Sequence, residues 1–247
     1  MNRLTVTMLA VAAASGVAAA DTIDLAYLGT GQGRNVRVTL DGNSQNVHAG
    51  QLRHGATNGV GNGVELAGQA LVTYCADINQ LVSSSSTTYE LVSVSLLPSP
   101  SSETTPTGMG SIRAAAIQSV YAYANDVLGG QHSDLGTSDA FATAFQLVIW
   151  ELVYDYDGTA GSIDLTSGAF HASRTNGSSL WGDVLTHAND LFLNGVGYNL
   201  NAMSVVGLRS GTRQDQLVEM NVPIIPTPTA AALGLVGLGG LAARRRR

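Results

Sequence analysis

Apolar and polar residues alternate along the first third of the chain. TIDLAYLG from Thr22 and GRNVRVTL from Gly33 each send every second side chain to one face, the pattern of half-buried β-strands. Asn43 to Gly63 is polar and glycine-rich and reads as an extended hairpin or loops, with the glycine runs Gly29–Gly33 and Gly59–Gly63 read as turns. Strand patterns resume at QALVTYCA (69–76) and TYELVSVSLL (88–97), and Pro98 to Ser111 has the composition of an exposed loop. From Ser111 the period changes from two to about 3.6. Ile112, Ala116, Val120, Ala124 and Val127 recur at steps of three and four, with Ser111 placed to cap the helix and Gly129 to stop it. A second helix is predicted over Ser138 to Asp155. A third runs from Ser178, with Leu180, Trp181, Val184, Leu185, Ala188, Leu191 and Phe192 on one apolar face. The chain returns to strands at NAMSVVGL (201–208) and DQLVEMNV (215–222), without an internal repeat. This order predicts an α+β fold, an antiparallel β-rich domain with about three helices packed on one side.

The two ends carry a different pattern. Arg3, an apolar stretch and Ala18-Ala19-Ala20 form the three regions of a secretory signal peptide over residues 1–20; an uncleaved N-terminal anchor is the alternative. The body, residues 21–222, is long enough for a single extracellular domain with a substantial core. Residues 223–247 hold Pro226-Thr227-Pro228, a short stretch rich in glycine and alanine, and the cluster Arg244, Arg245, Arg246 and Arg247. From Val222 to Ala243 there are 22 uncharged residues, enough to just span a bilayer as a C-terminal apolar helix, with the arginines on the cytoplasmic side. This layout resembles the PEP-CTERM sorting signal of Gram-negative exopolysaccharide-producing bacteria, with Thr227 where that family usually has glutamate. The resemblance implies an exosortase-type processing enzyme as partner and transient anchoring in the inner membrane. Release to the cell surface or extracellular matrix would follow. A plain C-terminal anchor remains the alternative.

Charge narrows the partners. All eighteen acidic residues lie in the body, against seven arginines, a net of −11 without the two ends. Such a surface repels nucleic acid and anionic lipid and leaves cationic, neutral or carbohydrate partners. Lysine is absent, and all twelve basic residues are arginine. Base composition of the genome explains this without function; a functional reading depends on the cysteine.

Cys75 is the only cysteine of a chain marked for export. It can be a buried structural thiol, one half of an intermolecular disulfide, or a reactive group protected by a bond to something else. Gln146 interrupts the apolar run Ala144 to Trp150, where a primary amide must find partners, a neighbouring strand's backbone among them. Tyr74-Cys75-Ala76-Asp77 on a strand, then Gln146-Leu147-Val148-Ile149-Trp150 on a helix, resemble the paired signatures of thioester domains in bacterial surface adhesins. The resemblance implies an internal thioester between Cys75 and Gln146. Asp77, two residues on and on the same strand face as Cys75, is either a supporting proton acceptor or a carboxylate facing solvent, and Trp150, four residues beyond Gln146, covers the bond or simply packs the core. Surface amines, hydroxyls or exopolysaccharide are then the covalent partners. With no lysine in the chain, copies would rarely cross-link to one another. The non-reactive alternative is a structural or carbohydrate-binding biofilm matrix protein with a buried thiol. No cofactor or metal is expected, since the five histidines lack paired ligand spacing. An enzyme is not expected either, since G-x-S-x-G and H-E-x-x-H are absent.

Overall fold

A computed structural model describes residues 20–98, 108–198 and 204–220. They belong to one compact unit, residues 20–226. The expected signal peptide up to Ala19, most of the loop after Pro98, Pro226-Thr227-Pro228 and the apolar tail with its arginines lie outside the described residues. Among those described, no helix is long and apolar enough to cross a membrane.

Among the described residues, seven strands form one antiparallel sheet: β1 Thr22–Leu40, β2 Asn43–Val60, β3 Ala70–Cys75, β4 Thr87–Val92, β5 Phe170–Arg174, β6 Ser204–Arg209 and β7 Gln216–Met220. The order is β2-β3-β7-β6-β4-β1-β5, and β1 also pairs with β2, so six strands close on themselves and β5 adds to the last residues of β1. Alternation explains what fills the ring. Ile23 and Leu25, Tyr89 and Leu91, Val206 and Leu208, and Val218 and Met220 are spaced by two and pack into one small core. A larger core forms between the sheet and the helices α1 Gly110–Asp126, α2 Asp139–Tyr154 and α3 Gly182–Asp190. α2 is the central element of that layer. Every residue from Ala140 to Val153 is buried, and the helix contacts β1, β2, β3 and β5 as well as α1 and α3.

Several sequence expectations are corrected. The two predicted first strands are one strand of 19 residues, and Gly29–Gly33 lies inside it rather than in a turn. Register shifts at Tyr27/Gly29 and Thr30/Gly33 absorb the irregularity. Gly33 faces Gly50, and the two backbones approach so closely that a Cβ on Gly50 would lie 2.2 Å from the Gln32 carbonyl oxygen. Of the second glycine run, Gly59 is the last residue but one of β2 and Gly61–Glu65 is a 3-10 turn. The strand predicted at Thr88–Leu97 stops at Val92, with Val94–Leu96 in a 3-10 turn. Ser111 sits inside α1, whose cap is Met109 without a side-chain bond. Ile112 and Val127, predicted on the buried face of α1, are exposed. α3 begins at Gly182 instead of Ser178, and Leu191–Gly195 continues it as a single π-turn. Ser138 caps α2, its hydroxyl accepting from the Phe141 amide at 3.1 Å.

Candidate functional site

Strand pairing determines which of Cys75's groups are free. Ala76 donates to the carbonyl of Asp215, the residue just before β7, at 3.0 Å, so the amide and carbonyl of Cys75 point to the opposite side, towards β2. There β2 has already left: its pairing with β3 runs from Gly55 against Ala70 only as far as Leu52 against Thr73. A buried main-chain donor and acceptor are thus left without a strand.

Gln146 fills that gap. Its Oε1 accepts from the Cys75 amide at 2.8 Å, and its Nε2 donates to the Cys75 carbonyl at 2.9 Å. The carboxamide of α2 therefore stands in for a missing strand. The Cys75 side chain springs from the Cα between the two groups so bonded. Both residues are buried, Gln146 with 0 % and Cys75 with 3 % of their surface exposed.

The cysteine side chain has its own partner. Leu71, Thr73 and Cys75 share one face of β3, as Gln216, Val218 and Met220 do on β7; Leu71, Val218 and Met220 pack inside the ring, whereas Cys75, at the end of its strand, packs into the larger core under the helices. The Cys75 Sγ donates to Gln214 Oε1 at 3.0 Å, and Gln214 Nε2 in turn donates to the Asp77 carbonyl at 2.7 Å. Below the sulfur, Thr73 donates to Gln216 Oε1 at 3.0 Å and lies 3.1 Å from His54 Nδ1. Burial pushes the Cys75 thiol well above its ordinary range; the Gln216 carboxamide pulls it slightly back, and the Asp77 charge adds to the rise.

Asp77 is buried just beyond the end of β3, its Oδ1 accepting from the Asn79 amide at 2.7 Å and its Oδ2 without a partner. Burial raises its pKa against the pull of two backbone hydrogen bonds. Trp150, one turn beyond Gln146, is buried against Phe170 with ring centroids 6.2 Å apart. Cys75 and Trp150 both line one cavity of about 300 Å³. The structure thus gathers Cys75, Gln146, Asp77 and Trp150 at one end of β3.

Residues 72–186 match the family model of the thioester domain. No curated protein and no solved structure matches the chain. The matched span contains all four of these residues together with α1 and α2. Gln214 lies outside the thioester-domain match and was not anticipated from the sequence. A signal for it existed: Gln214 and Gln216 put two carboxamides in register with Val218 and Met220, on what is otherwise the apolar face of a strand.

Proposed function

We propose that Cys75 and Gln146 form an internal thioester through which this protein attaches covalently to a nucleophile on a surface or in a matrix. The observation that carries the reading is the double hydrogen bond between the Gln146 carboxamide and the Cys75 main chain, within a region that matches the thioester domain. In forming the bond, the Cys75 sulfur adds to the carboxamide carbon of Gln146 and the C–N bond breaks. Nitrogen leaves as ammonia, carrying the thiol proton. The Cys75 amide already points at Oε1, where negative charge develops, and acts as a preorganised donor to that oxygen. Two rigid elements facing each other supply the proximity that a weakly acidic thiol needs. Asp77 is the assigned proton relay, and Trp150 keeps water from the finished bond.

Acylation then consumes the thioester: a hydroxyl or amine adds to the Gln146 carbonyl carbon, the C–S bond breaks, and the proton goes to the Cys75 sulfur. Each copy reacts once, so the protein is a coupling agent rather than an enzyme. Thioester-domain chemistry suits an adhesin-like surface protein. Export through the N-terminal segment and sorting through the Pro226-Thr227-Pro228 tail and its arginines complete the reading, with an exosortase-type enzyme and the inner membrane as transient partners.

A second reading has one observation in its favour. The Gln146 bonds satisfy a buried main chain, which is a sufficient structural reason for the residue, and the thiol then stays free. Intact mass separates the two. The thioester form is lighter than the sequence mass by about 17 Da, and Cys75→Ala restores the full mass apart from the substitution itself. A wild-type protein at full mass with a titratable thiol leaves only the matrix protein with a buried cysteine.

A further inference from the structure

The cavity beside Cys75 has a composition that bears on the acceptor. Fourteen residues line it, and none carries a carboxylate or a guanidinium. Its polar wall is instead made of carboxamides and neutral rings: Gln45, Asn46, Gln80 and Gln214, with Tyr27 and His48. Burial lowers the pKa of His48 despite the Asp139 charge nearby, so it stays neutral at physiological pH. Asp77 is not among the lining residues.

Three of the lining residues hold a buried polar atom without a partner: Gln80 Oε1, His48 Nε2 and Trp150 Nε1. The tryptophan atom can only donate, and the glutamine atom can only accept. A hydroxyl-rich ligand offers both functions at every position and brings no charge to desolvate. A primary amine arrives as an ammonium with a pKa near 10.4 and must shed a proton before it can attack. The acidic surface of the body would draw such cations nearby, but the cavity gives them no counter-ion, and His48, the imidazole in its wall, is a base weakened by burial.

Resting on the thioester reading, we infer that the acceptor is a neutral glycan, seated in this cavity and joined as an ester to Gln146. One sugar hydroxyl oxygen bonds to the Gln146 carbonyl carbon, the C–S bond breaks, and the hydroxyl proton passes to the leaving sulfur. Nothing else is released. Burial favours the protonated thiol in that place, which suits sulfur as the acceptor of that proton.

The test uses the full chain after intact mass has verified the loss of ammonia, so a failure of the thioester itself is seen first. Samples at pH 7 receive equal concentrations of maltotetraose or of a lysine peptide blocked at both ends. The sugar adduct should add the whole probe mass, disappear with hydroxylamine, and exceed the peptide adduct about tenfold, the scale of one charged hydrogen bond. Leu81, exposed at the cavity wall, provides the converse variant. Leu81→Asp places a carboxylate there and should shift the ratio towards the peptide by about two- to fivefold, the range of a solvent-exposed charge pair. A peptide adduct equal to or larger than the sugar adduct overturns the inference, as does a verified thioester that accepts neither probe. An unchanged ratio in Leu81→Asp overturns it too.

Discussion

Gln146 is fixed through the main chain of Cys75, and this determines what each substitution costs. Cys75→Ala and Gln146→Ala both prevent a thioester, so neither has the cross-link and the two variants can be compared directly. Cys75→Ala keeps the two hydrogen bonds to the carboxamide. Gln146→Ala orphans a buried amide and a buried carbonyl, and should be the less stable of the pair by about 2 to 4 kcal/mol in urea unfolding. Equal stabilities would mean that water or another group had replaced the carboxamide. Gln146 was legible in the sequence because a lone amide in an apolar helix demands a reason. Its partner could not be read, because the free edge of Cys75 exists only where β2 leaves β3 at Leu52. Gln214 escaped notice for a similar cause: its bond to the sulfur joins residues 139 positions apart.

α2 carries the site and also a titratable group unrelated to it. Glu151 is buried, with Oε1 accepting from the Asp164 amide at 2.8 Å and Oε2 without a partner. Burial raises its pKa to about 7, against the Asp164 backbone bond and with help from the charges of Asp155 and Asp164. In the unfolded chain a glutamate titrates near 4.3. Between those values the folded state holds more protons, so this group's stabilising contribution is complete at low pH, falls as pH rises through the window, and is gone above about 7. Thermal unfolding of wild type should show that decline between about pH 4.5 and pH 7, and Glu151→Gln should flatten it. At the other end of the helix, Ser138→Ala should cost about 1 kcal/mol by removing the cap on Phe141. The helix was predicted almost to the residue because its apolar run is long and uninterrupted by glycine or proline. α1 was harder: small residues occupy much of it, and its exposed ends, Ile112 and Val127, imitate a buried face. β5 was missed, since five residues at a sheet edge are too few to show a period.

The closed ring follows from the length of β1, which pairs along one edge with β2 throughout and along the other with β4 and then β5. That length was hidden by its glycines, which permit close approach of two backbones while reading as turns in the sequence. Gly50→Ala tests their purpose: a methyl there meets the Gln32 carbonyl, and melting should fall by several degrees, corresponding to at least about 1 kcal/mol. A variant as stable as wild type would show that the strands can separate locally without penalty. The overall α+β class and the antiparallel pairing were readable from alternation followed by helical periods, but closure is a long-range property and left no local mark.

Cys75 and Gln146 stand 71 residues apart, one on the ring and one on the helix packed over it. A bond between them would shut a loop of that length and, by the chain-entropy argument used for cross-links, would stabilise the fold by about 4 kcal/mol. Capture of an acceptor would cut that loop open. A copy that has made its attachment would therefore be slacker than one still waiting, easier for proteases to trim and quicker to yield under load, so the protein would carry in its own rigidity a record of whether it had been used.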